Sequence, residues 1–301
     1  MTVDEKYMYR CLQLALNGKG FVSPNPMVGA VVVHNDKIIG EGFHREYGKA
    51  HAEVNAIASV KDKSLLKEST IYVSLEPCAH QGKTPPCAQL IIDNQIPHVV
   101  IACLDPYPAV SGRGIKMLQD AGIKVDVGIL EREAWELNKE FFTIQTKGRP
   151  YIYLKWAQTQ DGFIDKARDE KDIPQPTPIS NEFSKMLVHK KRAVVPAIMI
   201  GTNTAIKDNP SLTTRHWYGK NPVRVILDRQ GRIPLDYTIF DGKVETIVFT
   251  EKESFSKLEK VTFIQIPFDE NVLENIFTTL KKRKITSVLV EGGQELLQSI
   301  I

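Results

Sequence analysis

Apolar and polar positions along the chain alternate between helical and strand-like periods, in short segments closed by turn residues. The opening segment, DEKYMYRCLQLALN, reads as a helix from Asp4 to Asn17. GAVVVHNDKIIGEGF reads as a hairpin turning at Asn35 and Asp36, HAEVNAIASV as a helix and TIYVSLEP as a strand. A helix from Cys87 to Asn94, a strand from His98 to Leu104, a helix from Gly114 to Asp120, a strand from Lys124 to Ile129 and a helix from Glu131 to Thr143 follow. Strands alternating with helices predict an α/β layered domain whose sheet is largely parallel beyond the hairpin.

The segment TKGRPYI interrupts this pattern with Gly148 and Pro150, so the chain is divided there into domains of residues 1–146 and 147–301. The second part restarts with strand YIYLKWA and a turn at QDG, then passes through polar, proline-bearing KARDEKDIPQPTPIS. A helix from Asn181, strand PAIMI running into GTNTAIKDNP, strands VRVILD, TIVFT and TFIQI, a helix from Asn271 to Lys284 and strand SVLVEGG complete a second α/β pattern. The halves share no repeat, which predicts two different activities on one chain.

Composition narrows the function classes. With 301 residues, 42% hydrophobic and 25% charged, the chain is long enough to bury two cores. A net charge of +3 with dispersed Lys and Arg argues against nucleic acid or a membrane surface as partner. The first twenty residues place acids ahead of apolar positions and contain neither a signal peptide nor a membrane span, so a cytoplasmic location with free thiols is expected.

Two of the four cysteines, Cys78 and Cys87, flank the proline-bearing loop of EPCAHQGKTPPCA. With His51 they make a three-donor zinc set that leaves a fourth position open for water, the pattern of a catalytic centre. Two thiolates cancel the charge of Zn²⁺ and weaken it as a Lewis acid, so a nearby carboxylate base becomes useful, and Glu53 is the candidate. Residues two apart do not share a helix face, so His51 and Glu53 reach one ion only if it lies beyond the helix N-terminus. Cys78 and Cys87 are expected where loops enter helices, where unpaired backbone N–H groups favour thiolates. An inert buried thiol pair or a structural zinc knuckle is the competing reading, and iron or cobalt suits the same donors. Cys11 and Cys103 read as core residues.

These motifs identify a family. H-A-E followed by P-C-x8-C resembles the zinc deaminase pattern, and PCAHQGKTPPCA with SPNPMVGAVVV resembles the deaminase half of the bifunctional riboflavin biosynthesis family. The resemblance implies a cytidine-deaminase-like three-layer domain, one Zn²⁺ per chain on His51, Cys78 and Cys87, and Glu53 as proton shuttle. It also implies deaminase substrate contacts at Asn25, His44, His80, Lys83 and Asp105.

In the second half, SVLVEGGQELLQSI is a strand, a Gly-Gly turn and a helix start, an arrangement that lets backbone approach a phosphate. IMIGTNTAIKDNPSLTTR repeats that logic and adds Arg215 as a phosphate clamp; an ordinary βα turn is the alternative for each. No G-x-G-x-x-G is present. The order KWAQTQDG, IGTNTAIKDNPSLTTR, PVRVILD and LVEGG resembles the reductase half of the same family, with a dihydrofolate-reductase-like α/β fold and NADPH as hydride donor. That resemblance implies cofactor contacts at Ala157, Thr204, Asp208 and Gly293, and reductase substrate contacts at Arg192, Leu212, Arg215 and Glu291. The chain stops at QELLQSII, which predicts a reductase domain short of the family's usual C-terminal end, with an exposed edge open to homo-oligomer formation.

The expected activity is hydrolytic deamination of a phosphorylated pyrimidine, 2,5-diamino-6-ribosylamino-4(3H)-pyrimidinone 5′-phosphate, followed by NADPH-dependent reduction of its ribosyl group to ribityl. The alternatives are a nucleoside or tRNA-base deaminase, and a zinc-stabilised scaffold without activity.

Overall fold

A computed structural model describes residues 1–79, 85–107, 111–166, 177–253 and 257–301. They form two compact units, Met1–Gly148 and Arg149–Ile301.

The first unit contains helices α1 (Val3–Leu16), α2 (Ala52–Ser59), α3 (Cys87–Asp93), α4 (Arg113–Asp120), α5 (Glu131–Leu137) and α6 (Lys139–Lys147). Its strands are β1 (Gly29–His34), β2 (Lys37–Phe43), β3 (Thr70–Val73), β4 (His98–Ile101) and β5 (Lys124–Val127), in the order β2-β1-β3-β4-β5. Asn35 and Asp36 turn the hairpin at positive φ, 46° and 58°, the twist that suits a two-residue connection. β1 lies antiparallel to β2 and β3, and β3, β4 and β5 are parallel.

Because successive strand residues point to opposite faces, both faces of this sheet are apolar and both are covered. Ala30, Val32, Ile71, Val73, Val99 and Ile101 pack with Ala56 of α2, Ile91 of α3 and Leu118 of α4. Val31, Val33, Tyr72 and Val100 face Met8 and Cys11 of α1, Ala134 of α5 and Phe142 of α6. The result is three layers.

The helix expected from Glu131 to Thr143 is in fact two, α5 and α6, broken at Asn138. The buried Asn138 side chain accepts the N–H of Met27 and donates to its carbonyl, both at 2.8 Å. This distant pairing overrides the continuous helical pattern. The strands end earlier than their apolar runs, at Val73, Ile101 and Val127, because the residues beyond leave the ladder to build loops.

The second unit contains β6 (Tyr151–Leu154), α7 (Glu182–Arg192), β7 (Ala197–Gly201), α8 (Thr202–Asp208), β8 (Val223–Leu227), β9 (Thr246–Thr250), β10 (Val261–Gln265), α9 (Val272–Lys282), β11 (Ser287–Val290) and α10 (Gln294–Ile300). Its sheet is parallel in every described pairing, in the order β10-β9-β8-β7-β11-β6. Met199, Val225, Phe249 and Val290 pack against Ile276, Leu280 and Leu296 of α9 and α10. Ile198, Ile200, Ile226 and Val248 pack against Ala205, Leu212 and Ile239. α8 follows β7 without a loop, a helix absent from the sequence reading, and much of the proline-bearing stretch before α7 lies outside the described residues.

Candidate functional sites

The approach of α2 to the hairpin places the first candidate centre. A Cβ on Gly42 of β2 would stand 2.3 Å from the backbone nitrogen of Ala56, so only glycine lets α2 lie this close. Asn55 ties the start of that helix back to β2 by donating to the carbonyls of Phe43 and Ala50, at 2.8 and 3.3 Å. His51 is thereby the N-cap residue of α2, in extended conformation, and Glu53 lies in its first turn.

Cys78 and Cys87 meet His51 there. The His51 Nδ1 atom is 3.3 Å from Cys87 Sγ and 3.7 Å from Cys78 Sγ, and all three donor atoms lie within 4.8 Å of one another. Tetrahedral zinc with ordinary Zn–S and Zn–N bonds spaces such donors by about 3.6 Å, so the cluster fits that ion. Cys87 opens α3, as expected, but Cys78 follows β3 in irregular chain rather than at a helix start. Its sulfur instead accepts the N–H of Cys87, at 3.3 Å, so the helix that carries one thiol also serves the other.

The electrostatics follow from this crowding. Hydrogen bonds from the Cys87 thiol and the His51 ring outweigh burial and pull the Cys78 thiol well below its ordinary range, while the bond to Cys78 and burial push Cys87 up. The bond to Cys78 raises His51. Glu53 is buried, and desolvation, aided by the Cys78 thiolate, raises its carboxyl to about 7, with His51 opposing.

Of the other residues expected at this site, Asn25 and His44 come together. His44 Nδ1 donates to the Ala50 carbonyl at 3.0 Å, which leaves Nε2 to accept from Asn25 Nδ2 at 3.1 Å. The His44 ring stands edge-on to His51, with centroids 5.4 Å apart. Asp105 is buried, with Oδ1 accepting the Tyr107 N–H. His80 and Lys83 lie outside the described residues. Cys11 and Cys103 are buried core thiols that donate to the carbonyls of Tyr72 and Ser74.

The second candidate site gathers at the carboxyl ends of β6, β7 and β11, the edge at which open parallel sheets bind ligands. β11 lies between the other two strands, and the N–H of Glu291 reaches the Met199 carbonyl at 2.9 Å. Gly293 follows that turn, and its N–H donates to Thr204 Oγ1 of α8 at 3.0 Å, joining two expected cofactor residues. Ala157 follows β6 and Asp208 closes α8, each on a chain leaving the same edge. Gly293 leaves exposed backbone at the end of β11, a surface suited to close approach by a dinucleotide such as NADPH, whereas a Cβ on Gly292 would meet the Leu296 side chain at 2.9 Å.

Arg192 and Glu291 form a bidentate pair, Nε to Oε1 at 2.8 Å and Nη2 to Oε2 at 2.7 Å, while Arg192 Nη1 reaches the Thr213 carbonyl. Arg192 is therefore committed to protein partners. Leu212 is buried at φ 53°, and the exposed Arg215 donates its N–H to His189 Nδ1 at 3.1 Å. His189 and Arg224 escaped the sequence reading. Arg224 is fully buried on β8 and binds the carbonyls of Ser211 and Ile239 and the Asp241 carboxylate, so it anchors the segment carrying Leu212. An arginine within the apolar run VRVIL was the available signal.

A zinc-binding deaminase domain and a pyridine-nucleotide reductase domain are thus the class that the two sites define. Residues 1–103 match the cytidine and deoxycytidylate deaminase zinc-binding region, and residues 150–301 match the RibD C-terminal domain. The riboflavin biosynthesis protein RibD of Aquifex aeolicus is 44% identical over 99% of this chain and 83% of its own. The Escherichia coli RibD is 35% identical over 99% and 84%. The crystal structure of a diaminohydroxyphosphoribosylaminopyrimidine deaminase/5-amino-6-(5-phosphoribosylamino)uracil reductase from Thermotoga maritima superposes with a TM-score of 0.89 at 42% identity, covering 99% of this chain and 83% of that one.

The chain belongs to the RibD family of bifunctional riboflavin biosynthesis enzymes. Its first domain is cytidine-deaminase-like and zinc-binding, and its second is the dihydrofolate-reductase-like domain that uses NADPH in this family. No helix among the described residues is long and apolar enough to cross a membrane.

Proposed function

We propose that residues 1–146 deaminate 2,5-diamino-6-ribosylamino-4(3H)-pyrimidinone 5′-phosphate, and that residues 147–301 then reduce the ribosyl group of the product to ribityl. The observation that carries the first step is the His51, Cys78 and Cys87 cluster with the buried Glu53 in the first turn of the helix that His51 caps. Those three side chains would hold zinc, which when bound supplies Lewis-acid activation of water.

Glu53 is the proton carrier. Its carboxylate accepts a proton from the attacking water as the new C–O bond forms at the amino-bearing ring carbon. It passes that proton to the ring nitrogen, then takes the second proton from the newly formed hydroxyl and gives it to the departing nitrogen, so that the C–N bond breaks and ammonia leaves. Burial favours the neutral carboxyl, so the group is suited both to take up a proton and to hold it until the amine departs. Asn25 and His44, fixed to one another and to Ala50, would orient the ring, with Asp105, His80 and Lys83 as further substrate contacts.

In the second domain NADPH, when bound, supplies the hydride. Ala157, Thr204, Asp208 and Gly293 would orient it, and Leu212 and Arg215, with the Arg192–Glu291 pair holding Thr213 beside them, would place the ribosyl phosphate. Orientation and charge placement are then the protein's whole contribution.

The reading is tested by incubating the purified chain with the diaminopyrimidine substrate, measuring ammonia, then adding NADPH and following its absorbance. Ammonia release and subsequent NADPH oxidation are expected. The absence of both signals from folded, zinc-loaded protein refutes it.

A further inference from the structure

Glu76 is an acid in an apolar run, between buried Leu75 and Pro77 and two residues before Cys78. It is only 4% exposed, and a carboxylate is costly to bury unless its oxygens are occupied. Backbone amides occupy them. Oε2 accepts the N–H of Asp105 at 3.3 Å and of Gly112 at 3.0 Å, and Oε1 accepts the N–H of Gly114 at 3.0 Å.

Two of these donors belong to the start of α4. Gly112 is its N-cap, at φ 72° and with no side chain to cap the helix, and Gly114 lies in the first turn. Such amides lack partners inside a helix, and negative charge is favoured at that end. Glu76 thus caps a helix 38 residues further along the chain. A Cβ on Gly114 would stand 2.0 Å from the Pro77 carbonyl oxygen, so α4 rests on the peptide that leads into Cys78. The N–H of Glu76 meanwhile donates to the Cys103 carbonyl at 3.0 Å. One residue therefore joins the Cys78 turn to Cys103, to Asp105 and to the N-terminus of α4.

We propose that Glu76 is a positioning residue of the deaminase site: its carboxylate fixes Asp105 and the N-terminus of α4 beside the Cys78 turn and thereby sets how tightly the pyrimidine is held. It touches neither the metal nor the reacting atoms. The inference rests on the deaminase reading of this domain. It depends on charge rather than bulk, because a carboxylate only accepts, whereas the isosteric glutamine must turn an NH₂ group toward at least one of the three amides.

The test compares Glu76→Gln with the unaltered protein in ammonia release, zinc content and NADPH oxidation on the deaminated pyrimidine, the last reporting on the other domain. A KM for the diaminopyrimidine raised about tenfold is expected for lost charge-assisted hydrogen bonds, with kcat, zinc content and NADPH oxidation essentially unchanged. Glu76→Asp, which keeps the charge but shortens the reach, should fall between the two. An unchanged KM overturns the proposal. So does zinc loss with kcat and KM moving together, which would make Glu76 a support of the metal turn alone. Unaltered protein that releases no ammonia marks the failure of the deaminase reading, and the proposal falls with it. Hydrogen exchange on the unaltered protein gives a check independent of any variant: the Gly112 and Gly114 amides should be protected, and exchange at free-amide rates contradicts the clamp.

Discussion

His189 shows how much a single side chain is shaped by neighbours that sequence does not reveal. Burial first, then the positive charges of Arg192 and Arg215 and the neighbouring His216, push its pKa down to about 4, with Glu291 opposing. Its Nδ1 accepts the Arg215 N–H, which requires the unprotonated atom. In the unfolded chain the imidazole titrates near its ordinary 6.5, so below that pH the unfolded state binds the proton first. The contribution is present above pH 6.5 and is lost as the pH falls through about 4. Urea unfolding of the protein and of His189→Gln should differ by a constant amount above neutrality, with the unaltered protein losing stability relative to the variant on acidification. A difference that stays constant down to pH 4 contradicts this. At the same scale His51, Glu53, Cys78 and Cys87 were legible, because few residue types carry their chemistry and their spacing restricts the geometry. Glu76 and His189 were not, because backbone amides distant in sequence define their surroundings.

Among the elements, the β1–β2 hairpin and α2 follow from local pattern, since turn residues and apolar periodicity agree there. The α5–α6 break does not, because its cause is Met27, 111 residues from Asn138. Asn138→Ala would remove the side-chain partner of both the part-buried Met27 N–H and its carbonyl, and should destabilise the first unit by about 1 kcal/mol or more, given the cost of leaving such groups unpaired. Urea denaturation followed by far-ultraviolet circular dichroism measures this, and a loss below about 0.5 kcal/mol, the usual range for a neutral surface change, would contradict the pairing. The seven-residue α8 was illegible for a different reason: it starts directly from β7, leaving no turn signal, and is too short to show a helical period.

For the molecule as a whole, two α/β units with different sheets carry chemistry that needs different cofactors. The alternation of strands and helices made that class of architecture legible, whereas the insertion of β11 between β6 and β7 depends on long-range pairing and left no mark in the sequence. Separate sites predict separate losses. A chelator should abolish ammonia release, and added zinc should restore it, because the donor set belongs to the first unit alone. NADPH oxidation on the deaminated pyrimidine should be unaffected, and its parallel loss would contradict the assignment.

The most direct test is Glu53→Gln, assayed for zinc, ammonia and NADPH oxidation in one preparation. Zinc should remain bound and ammonia release should fall by about 10² to 10⁴, the usual contribution of a positioned proton carrier. NADPH oxidation should fail on the diaminopyrimidine and persist on the deaminated one. Ammonia release near the unaltered rate would contradict the central claim that this buried carboxylate moves the protons of the deamination.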